Sequence, residues 1–353
     1  MNAAASAIRL GHRLVGREHP PFVIAEMSGN HNQSLDTALR IVDAAADAGA
    51  HALKLQTYLA AQMTLDLEEG DFFIADPGSL WRGQSLYRLY EHAYTPWEWH
   101  MPIFERCRER GLIPFSTPFH PDAVDFLESL DAPFYKIASF ENNDLSLIRR
   151  AAATGKPLII STGLATISDL EEAVTAARAA GCRDLILLKC TSHYPASPVD
   201  SHLRTIPHMR ELFGCEVGLS DHTQGIGVPV ASVALGATVI EKHFTMSRAE
   251  GGVDAAFSLE PEEMKRLVLE TERAWQALGR VHYGLSDKDR SSLKFRRSLY
   301  ISRDVREGET LSADNVRIVR PGYGLAPKYA ELFLGRTASR PLKAGTPVTW
   351  DLL

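Results

Sequence analysis

The sequence has few cysteines: Cys107, Cys182, Cys190 and Cys215 are scattered through 353 residues and form no CxxC pair. This pattern excludes a disulfide scaffold and predicts a reduced, cytoplasmic protein. No apolar run approaches the roughly 18 residues that span a bilayer, and the N-terminal residues lack the apolar core of a secretory signal. The net charge is −6 without any basic block, so neither a membrane nor nucleic acid is expected as a partner.

Short apolar runs recur along the first 243 residues and alternate with amphipathic stretches. There are eight: FVIAEM (22–27), HALKLQ (51–56), LIPFS (112–116), FYKIAS (134–139), PLIIST (157–162), DLILLKC (184–190), EVGLS (216–220) and TVIEKH (238–243). Continuous rather than alternating runs are typical of parallel strands buried on both faces. Eight strand–helix units predict a (β/α)8 TIM barrel. An open doubly wound sheet fits less well, because no glycine-rich dinucleotide turn follows the first run.

The rest of the chain predicts two further features. IRLGHRLVG at the start resembles a short hairpin with Gly11 at its turn, of the kind that plugs one end of a barrel. We therefore expect a barrel domain over residues 1–280, a polar linker over 281–297 and a small β-rich domain over 298–353. A core of about 55 residues is marginal, so the small domain is expected to dock on another surface.

The interval after the second run, residues 58–100, is unusually long and rich in aromatic residues. Long loops that follow barrel strands lie on the catalytic face, so this one is predicted to shape substrate specificity. The alternative is an ordinary packing loop.

Polar residues cluster at the ends of the eight runs, where barrel enzymes carry their chemistry. They are Glu26, Asn30, His31, Asn32, Lys54, Gln56, Ser116, Thr117, Lys136, Ser139, Glu141, Ser161, Thr162, Lys189, Thr191, Ser192, Tyr194, Ser220, Asp221, His222, Glu241, Lys242 and His243. Burying so many polar groups without partners is costly. We therefore expect them to converge on one active site.

Lysines and hydroxyls form the first pattern within this set. Ammonium groups beside hydroxyls suit phosphate and carboxylate oxygens. The residues are Lys54, Lys136, Thr117, Ser139, Ser161 and Ser220. The alternative is that the hydroxyls cap the helices that follow.

His222 and His243 form the second pattern, because they end the last two runs. Imidazoles on adjacent strand ends can share a divalent metal that keeps open water positions. Asp221, Glu241 and Glu26 stand nearby as partners of the ligands or as acid–base groups. The spacing alone is not a specific metal motif.

Taken together, these segments resemble the sialic acid synthase (NeuB) family. The matching pieces are AEMSGNHNQSL (25–35), ALKLQT (52–57), FSTPF (115–119), YKIASFE (135–141), IISTG (159–163), KCTSHYP (189–195), GLSDHT (218–223) and IEKHF (240–244). The segment from SLYISRDVREGETLSADN through VRPGYG resembles the family's antifreeze-like (SAF) domain. The likeness covers nearly the whole chain.

Within the family, LWRGQSLYRLYEHAYTPWEWH (80–100) and KIASFENND (136–144) resemble the branch that makes pseudaminic acid. The N-acetylneuraminate branch typically reads KIGSGE where this chain has Ala138 and Phe140. N-acetylneuraminate or legionaminate synthesis is the alternative activity. A glycan-binding protein and a Schiff-base aldolase using Lys136 or Lys189 are the alternatives from other classes.

The resemblance implies that phosphoenolpyruvate, an acetamido sugar and water condense to a nine-carbon 2-keto acid and phosphate. For the pseudaminic branch the sugar is 2,4-diacetamido-2,4,6-trideoxy-L-altrose. The implied phosphoenolpyruvate contacts are Lys54, Thr117, Lys136, Ser139, Ser161, Ser192 and Ser220. The implied sugar contacts are Glu26, Gln56, Glu141, Tyr194 and Asp254.

The resemblance also implies that His222 and His243 hold a divalent metal (Mn2+, Mg2+ or Co2+) that acts on the sugar aldehyde. Glu26 is the candidate for transferring a proton or positioning water. Arg320 matches an arginine that reaches the sugar site of the partner subunit in a domain-swapped homodimer. Ser192 and His193 stand where the sialic branch has Asn and an apolar residue.

Overall fold

The computed structural model describes residues 7–352, and its first large feature is a closed barrel of eight parallel strands. The strands are β3 (Phe22–Glu26), β4 (Ala52–Thr57), β5 (Ile113–Pro118), β6 (Tyr135–Ile137), β7 (Leu158–Ser161), β8 (Leu185–Cys190), β9 (Glu216–Asp221) and β10 (Val239–His243). Each strand pairs with the next in sequence, and β10 closes the barrel on β3, where His243 stands opposite Glu26. The predicted TIM barrel is confirmed.

Helices surround the barrel. They are α1 (Leu35–Asp47), α2 (Ala60–Met63), α3 (Leu86–Ala93), α4 (Trp97–Glu109), α5 (Pro121–Ser129), α6 (Leu145–Ala152), α7 (Ile167–Ala179), α8 (Thr205–Phe213), α9 (Gly227–Ala234) and α10 (Pro261–Leu278). In α1 the Ser34 side chain caps the helix by accepting from the Thr37 amide, and the apolar residues of one face pack against the strands. No described helix is both long and apolar enough to cross a bilayer.

The inside of the barrel is apolar at the N-terminal ends of its strands. Phe22, Phe115 and Phe134 fill it and are fully buried or nearly so. A hairpin of β1 (Ile8–Leu10) and β2 (Arg13–Val15) adds its buried residues to the same cluster. Its turn residue Gly11 has φ +58°, and a side chain there would press on Ile113. The apolar core therefore fills this end of the barrel and leaves the C-terminal ends of the strands for polar groups.

The chain divides into two compact units after Gly279. The second unit holds α11 (Asp287–Arg290), β11 (Ser298–Ile301), β12 (Val316–Val319) and α12 (Ala330–Phe333). β11 and β12 are antiparallel. A separate core packs inside the unit: Leu299, Ile301, Val305, Leu311, Val316, Phe333, Ala338, Leu342, Val348 and Leu352. The predicted linker segment is partly helical, because α11 and a 3-10 turn over Ser291–Phe295 lie within it.

A chain of buried hydrogen bonds joins α4 to the barrel wall through His100. The Nδ1 of His100 lies 3.2 Å from the Pro96 carbonyl oxygen, so Nδ1 carries the proton and donates. Its Nε2 therefore accepts from the Thr57 hydroxyl at 2.8 Å. Thr57 in turn accepts from Ser116 at 2.6 Å. This arrangement requires a neutral imidazole.

Burial lowers the pKa of His31 and of His100 to about 4. Both ordinarily titrate near pH 6.5. Between about pH 4 and pH 6.5, therefore, the unfolded chain binds two protons at these rings that the folded barrel does not bind. The stability that depends on the neutral rings is complete above pH 6.5 and is lost as the pH falls towards 4. Taken alone, these two rings lower the free energy of unfolding by up to about 3 kcal/mol per pH unit in this window, and His100 contributes about half of that slope.

Urea titrations at pH 7, 6 and 5 measure this slope. His100→Gln removes one of these rings and should change the slope by up to about 1.4 kcal/mol per pH unit relative to the wild type, whereas exposed His208→Gln is the matched control and should follow the wild type. A slope in His100→Gln equal to that of the wild type would contradict the prediction.

Candidate active site

A cavity of about 540 Å³ opens among the C-terminal ends of the barrel strands and the loops that follow them. Thirteen of the fifteen predicted site residues line it: Glu26, Lys54, Gln56, Lys136, Ser139, Glu141, Ser161, Ser192, Tyr194, Ser220, His222, His243 and Asp254. Thr117 stands behind this lining and accepts a hydrogen bond from Lys54 at 3.2 Å. Arg320 belongs to the second unit, where it is exposed at the end of β12.

Two lysines and two glutamates form the floor of the cavity, and all four are buried. Lys54 Nζ lies 2.9 Å from Glu26 Oε2 and 3.7 Å from Glu241 Oε2. Lys136 Nζ lies 2.9 Å from Glu241 Oε1. Each ammonium group thus has a carboxylate partner, and this pairing avoids the cost of burying an unpaired charge.

The two floor carboxylates differ electrostatically. Burial raises the pKa of Glu26 to about 7, more than the Lys54 ammonium lowers it. Burial opposes ionisation of Glu241 as well, but Lys136 and Lys54 together outweigh it and lower the Glu241 pKa. Glu241 is therefore the fixed anion of the floor, and Glu26 is the carboxylate that titrates near neutral pH.

A cluster of serine hydroxyls lines the same cavity as Lys136. Ser161 Oγ and Ser192 Oγ are buried without a hydrogen-bond partner. Ser139 Oγ accepts from the Gly163 amide at 3.1 Å. A Cβ on Gly163 would collide with Ser139 Oγ and Ser192 Oγ, so only glycine fits at this close approach. Unpartnered buried hydroxyls in a cavity that is also lined by two lysines suit the oxygens of an anionic ligand.

The alternative role for these hydroxyls, helix capping, is wrong. The side chains that cap the N-termini of α5, α6 and α7 are His120, Asp144 and Thr166. The rim serines thus remain available to the cavity.

His222 and His243 face each other with ring centroids 5.2 Å apart. His222 Nδ1 donates to the Thr191 carbonyl oxygen at 2.9 Å, which fixes the orientation of the ring. Burial lowers the pKa of His222, but the neighbouring Cys190 and the Thr191 carbonyl oxygen outweigh it and raise the pKa above its ordinary value. Burial lowers the pKa of His243 far below its ordinary value, so the His243 ring is neutral. Its Nδ1 is buried without a hydrogen bond and lies 3.4 Å from Asp254 Oδ2.

Two imidazoles, one oriented by a backbone carbonyl and one with an orphaned buried nitrogen, fit a divalent metal of the first transition row. No group of three or more His, Cys, Asp or Glu side chains in residues 7–352 has a metal-binding arrangement. A metal held here would therefore have two protein ligands and several open positions.

The loop over residues 58–100 forms the apolar wall of the cavity. It contributes Tyr58, Met63, Ile74, Trp81, Leu86, Leu89, Tyr90 and Ala93, together with Asp76 and Ser79. Trp81 Nε1 donates to the Val253 carbonyl oxygen at 3.0 Å, which ties this loop to the loop after β10. The loop is thus more than a packing loop, as its length suggested.

The remaining predicted residues stand between the floor and this wall. Gln56 Nε2 donates to Glu26 Oε1 at 2.8 Å. The Tyr194 ring packs on His222 with centroids 4.5 Å apart. Burial raises the pKa of Glu141 to about 7, and its Oε2 has no hydrogen-bond partner.

Not all polar rim residues converge on the cavity, and that part of the sequence prediction is wrong. Lys242 Nζ pairs with Asp221 Oδ2 at 2.8 Å, and Lys189 Nζ donates to the Cys190 carbonyl oxygen at 2.9 Å. None of these three side chains lines the cavity. Successive side chains of a strand point to opposite faces, so Glu241 faces inward and Lys242 outward. Lys189 is thereby excluded as a Schiff-base nucleophile in this cavity.

The sequence prediction missed Ser28, Trp81 and Cys190, which line the cavity. Ser28 follows Glu26 by two residues, and Cys190 follows Leu188 of the barrel interior by two, so strand alternation was the available signal. Nothing local marks Trp81, because its position depends on how the long loop folds back.

Comparisons with known proteins agree with the fold and the motifs. A family model described as the NeuB family matches residues 41–283, and one described as the SAF domain matches residues 296–353. A pseudaminic acid synthase of Campylobacter jejuni is 45% identical over 324 residues, 92% of this chain and 94% of that protein. A pseudaminic acid synthase of Helicobacter pylori is 42% identical over 333 residues, 94% of this chain and 97% of that protein.

A solved structure points the same way. The N-acetylneuraminic acid synthetase of Leptospira borgpetersenii, crystallised with citrate, has a TM-score of 0.74 at 31% identity and covers 84% of this chain and 98% of its own. The resemblance read from the sequence motifs is therefore confirmed.

The charge network of the floor generates a stability prediction. Glu241→Gln removes the anion that faces both lysines, and breaking a buried ion pair typically costs about 3–5 kcal/mol. We expect a loss of at least about 3 kcal/mol in unfolding free energy, measured by denaturant titration at pH 7. The exposed Glu171→Gln is the control and should stay within about 0.5 kcal/mol of the wild type. A Glu241→Gln variant as stable as this control would show that the network does not hold the floor together.

Proposed function

The chain belongs to the NeuB family, and we propose that it is a pseudaminic acid synthase. Phosphoenolpyruvate condenses with 2,4-diacetamido-2,4,6-trideoxy-L-altrose and water, and phosphate leaves. The observation that carries this proposal is one cavity that is lined both by ammonium and hydroxyl groups and by a pair of facing histidines. The pseudaminic acid synthases of 42 to 45% identity support the choice of sugar.

Phosphoenolpyruvate binds at the cationic side of the floor. Lys54 and Lys136 contact its carboxylate and phosphate, and Thr117 steadies Lys54. Ser139, Ser161, Ser192 and Ser220 supply the hydroxyls, two of which have no partner until a ligand oxygen arrives. These contacts fix the orientation of carbon 3, which attacks the sugar aldehyde carbon to form the new C–C bond. Water then adds at carbon 2, and the bond from carbon 2 to the phosphate oxygen breaks.

His222 and His243 are the residues that hold the divalent metal, whether Mn2+, Mg2+ or Co2+. When bound, the ion supplies Lewis acidity towards the aldehyde oxygen. The charges of the floor support this assignment. Two lysines are already balanced by two glutamates, so a multiply charged anion needs a further positive charge in the cavity.

The acetamido sugar lies between the floor and the apolar wall. Gln56, Glu141, Tyr194 and Asp254 contact its polar groups, and the wall of residues 58–100 packs on its apolar face. Glu26 positions water or transfers a proton, since it faces the cavity between Lys54 and Gln56.

Arg320 completes the sugar site from the partner subunit of a domain-swapped homodimer. The support is its exposed position in the SAF unit. A cytoplasmic location is part of the proposal, and four free, buried cysteines agree with a reducing compartment.

Phosphate release tests the activity. The purified protein is mixed with phosphoenolpyruvate, Mn2+ and either the diacetamido altrose, N-acetylmannosamine or the legionaminate precursor sugar. We expect release with the first sugar to be the fastest. A preference for either other sugar would replace the assigned substrate, and no release with any of them would refute the synthase.

Metal removal tests the assigned ligands. Treatment with a chelator should slow phosphate release by at least about 100-fold, since a Lewis acid contributes several kcal/mol. Added Mn2+ should restore the wild type but not His243→Ala. Full activity in excess chelator would refute the metal assignment while leaving the synthase intact.

Subunit complementation tests Arg320. Arg320→Ala and His243→Ala are each expected to be inactive alone. In a mixed domain-swapped dimer, one of the two sites receives an intact arginine and retains both histidines. About half of the dimers in an equal co-refolded mixture are mixed, so the mixture should recover about a quarter of wild-type activity. An arginine that acts within its own subunit predicts no recovery.

A further inference from the structure

Ser28 occupies a backbone conformation that ordinarily selects glycine. It lies in the turn after β3, where the Met27 carbonyl oxygen accepts from the Asn30 amide at 3.2 Å. Its φ is +48°, in the left-handed region that a residue with a Cβ enters at a cost. The next residue, Gly29, packs so tightly on α3 that a Cβ would lie 3.0 Å from the Ala93 carbonyl oxygen. Ser28 is buried, so solubility does not explain a serine there.

The hydrogen bond that the Ser28 hydroxyl makes explains why serine rather than glycine occupies this position. It donates to Asp254 Oδ2, across 226 positions of sequence. The same carboxylate oxygen lies 3.4 Å from His243 Nδ1. In the described part of the chain, no other side chain donates a hydrogen bond to this carboxylate.

Asn30 performs a different task in the same turn. Its Oδ1 accepts from the Asp254 amide at 3.3 Å, and its Nδ2 donates to the Phe244 carbonyl oxygen at 3.0 Å and to Ser258 Oγ at 2.9 Å. Asn30 therefore holds the backbone of the loop after β10. Among the described residues, Ser28 is the one whose side chain donates a hydrogen bond that fixes the direction of the Asp254 carboxylate.

We propose that Ser28 is a positioning residue that fixes the Asp254 carboxylate at the sugar side of the cavity. The inference rests on the proposed function for the sugar contact of Asp254. The left-handed backbone aims the hydroxyl across the cavity rim at the loop after β10. Glycine would relieve the backbone and lose the hydrogen bond, whereas alanine would keep the unfavourable backbone and lose the hydrogen bond as well.

Two variants separate positioning from stability. In both Ser28→Gly and Ser28→Ala, kcat/KM for the acetamido sugar should fall about 10- to 100-fold, because the carboxylate is no longer aligned. KM for phosphoenolpyruvate should stay within about twofold of the wild type. Ser28→Gly should melt higher than Ser28→Ala, because both variants lose the hydrogen bond and only glycine relieves the left-handed backbone. A merely structural serine would instead make activity follow the melting temperature.

A double-mutant cycle tests whether Ser28 acts through Asp254. In an Asp254→Asn background, Ser28→Gly should cause no further loss of kcat/KM. Asp131→Gly is the matched control, because Asp131 also has positive φ (+55°) and is exposed between α5 and β6. It should retain wild-type activity. An additive loss in the Asp254→Asn background, or wild-type kcat/KM in Ser28→Gly, would overturn the proposal.

Crystal structures provide a readout that does not need turnover. The wild type should show Asp254 in one rotamer bonded to Ser28, and Ser28→Gly should show it displaced or in several rotamers. An unchanged Asp254 in Ser28→Gly overturns the positioning role. Failure of the wild type to release phosphate from phosphoenolpyruvate with any acetamido sugar overturns the proposed function instead, so the two failures are distinguishable.

Discussion

The barrel depends on keeping four charges buried at the floor of its cavity. Lys54, Lys136, Glu26 and Glu241 lie where water is largely excluded, so each charge must find a partner in the protein. The four come from β3, β4, β6 and β10, and only barrel closure brings β10 beside β3. Fold and site are therefore coupled. The barrel strands supply the partner of each buried charge, and the need for charge balance restricts which of the four residues can be substituted.

The same charge balance shapes the chemistry. Because each lysine is paired with a glutamate, the floor attracts an anion less strongly than two unpaired lysines would, and the unpartnered hydroxyls of Ser161 and Ser192 add contacts for an anion. The orphaned nitrogen of His243 and the oriented ring of His222 lie in the same cavity and fit a divalent metal. Glu26, whose burial raises its pKa to about 7, is the floor group whose charge can change during a reaction.

Hydrogen bonds between loops enclose this floor. Trp81 ties the long loop to the loop after β10, and Asn30 and Ser28 tie that same loop to the turn after β3. The side of the cavity that Asp254 and Trp81 line is thus built from segments far apart in the chain. Its geometry is sensitive to residues that need not contact a ligand.

The sequence by itself determined the architecture and most of the polar residues that line the cavity. Eight continuous apolar runs predicted eight barrel strands, and polar residues at their ends predicted where a site would lie, because parallel strands bring those ends together. What the tertiary structure alone decided was the direction and pairing of each side chain. Strand alternation turned Lys242 and Lys189 away from the cavity, and barrel closure set Lys136 against Glu241. The contact from Ser28 to Asp254 spans 226 residues and depends on two loops that meet in the folded chain, so no local sequence pattern could predict it.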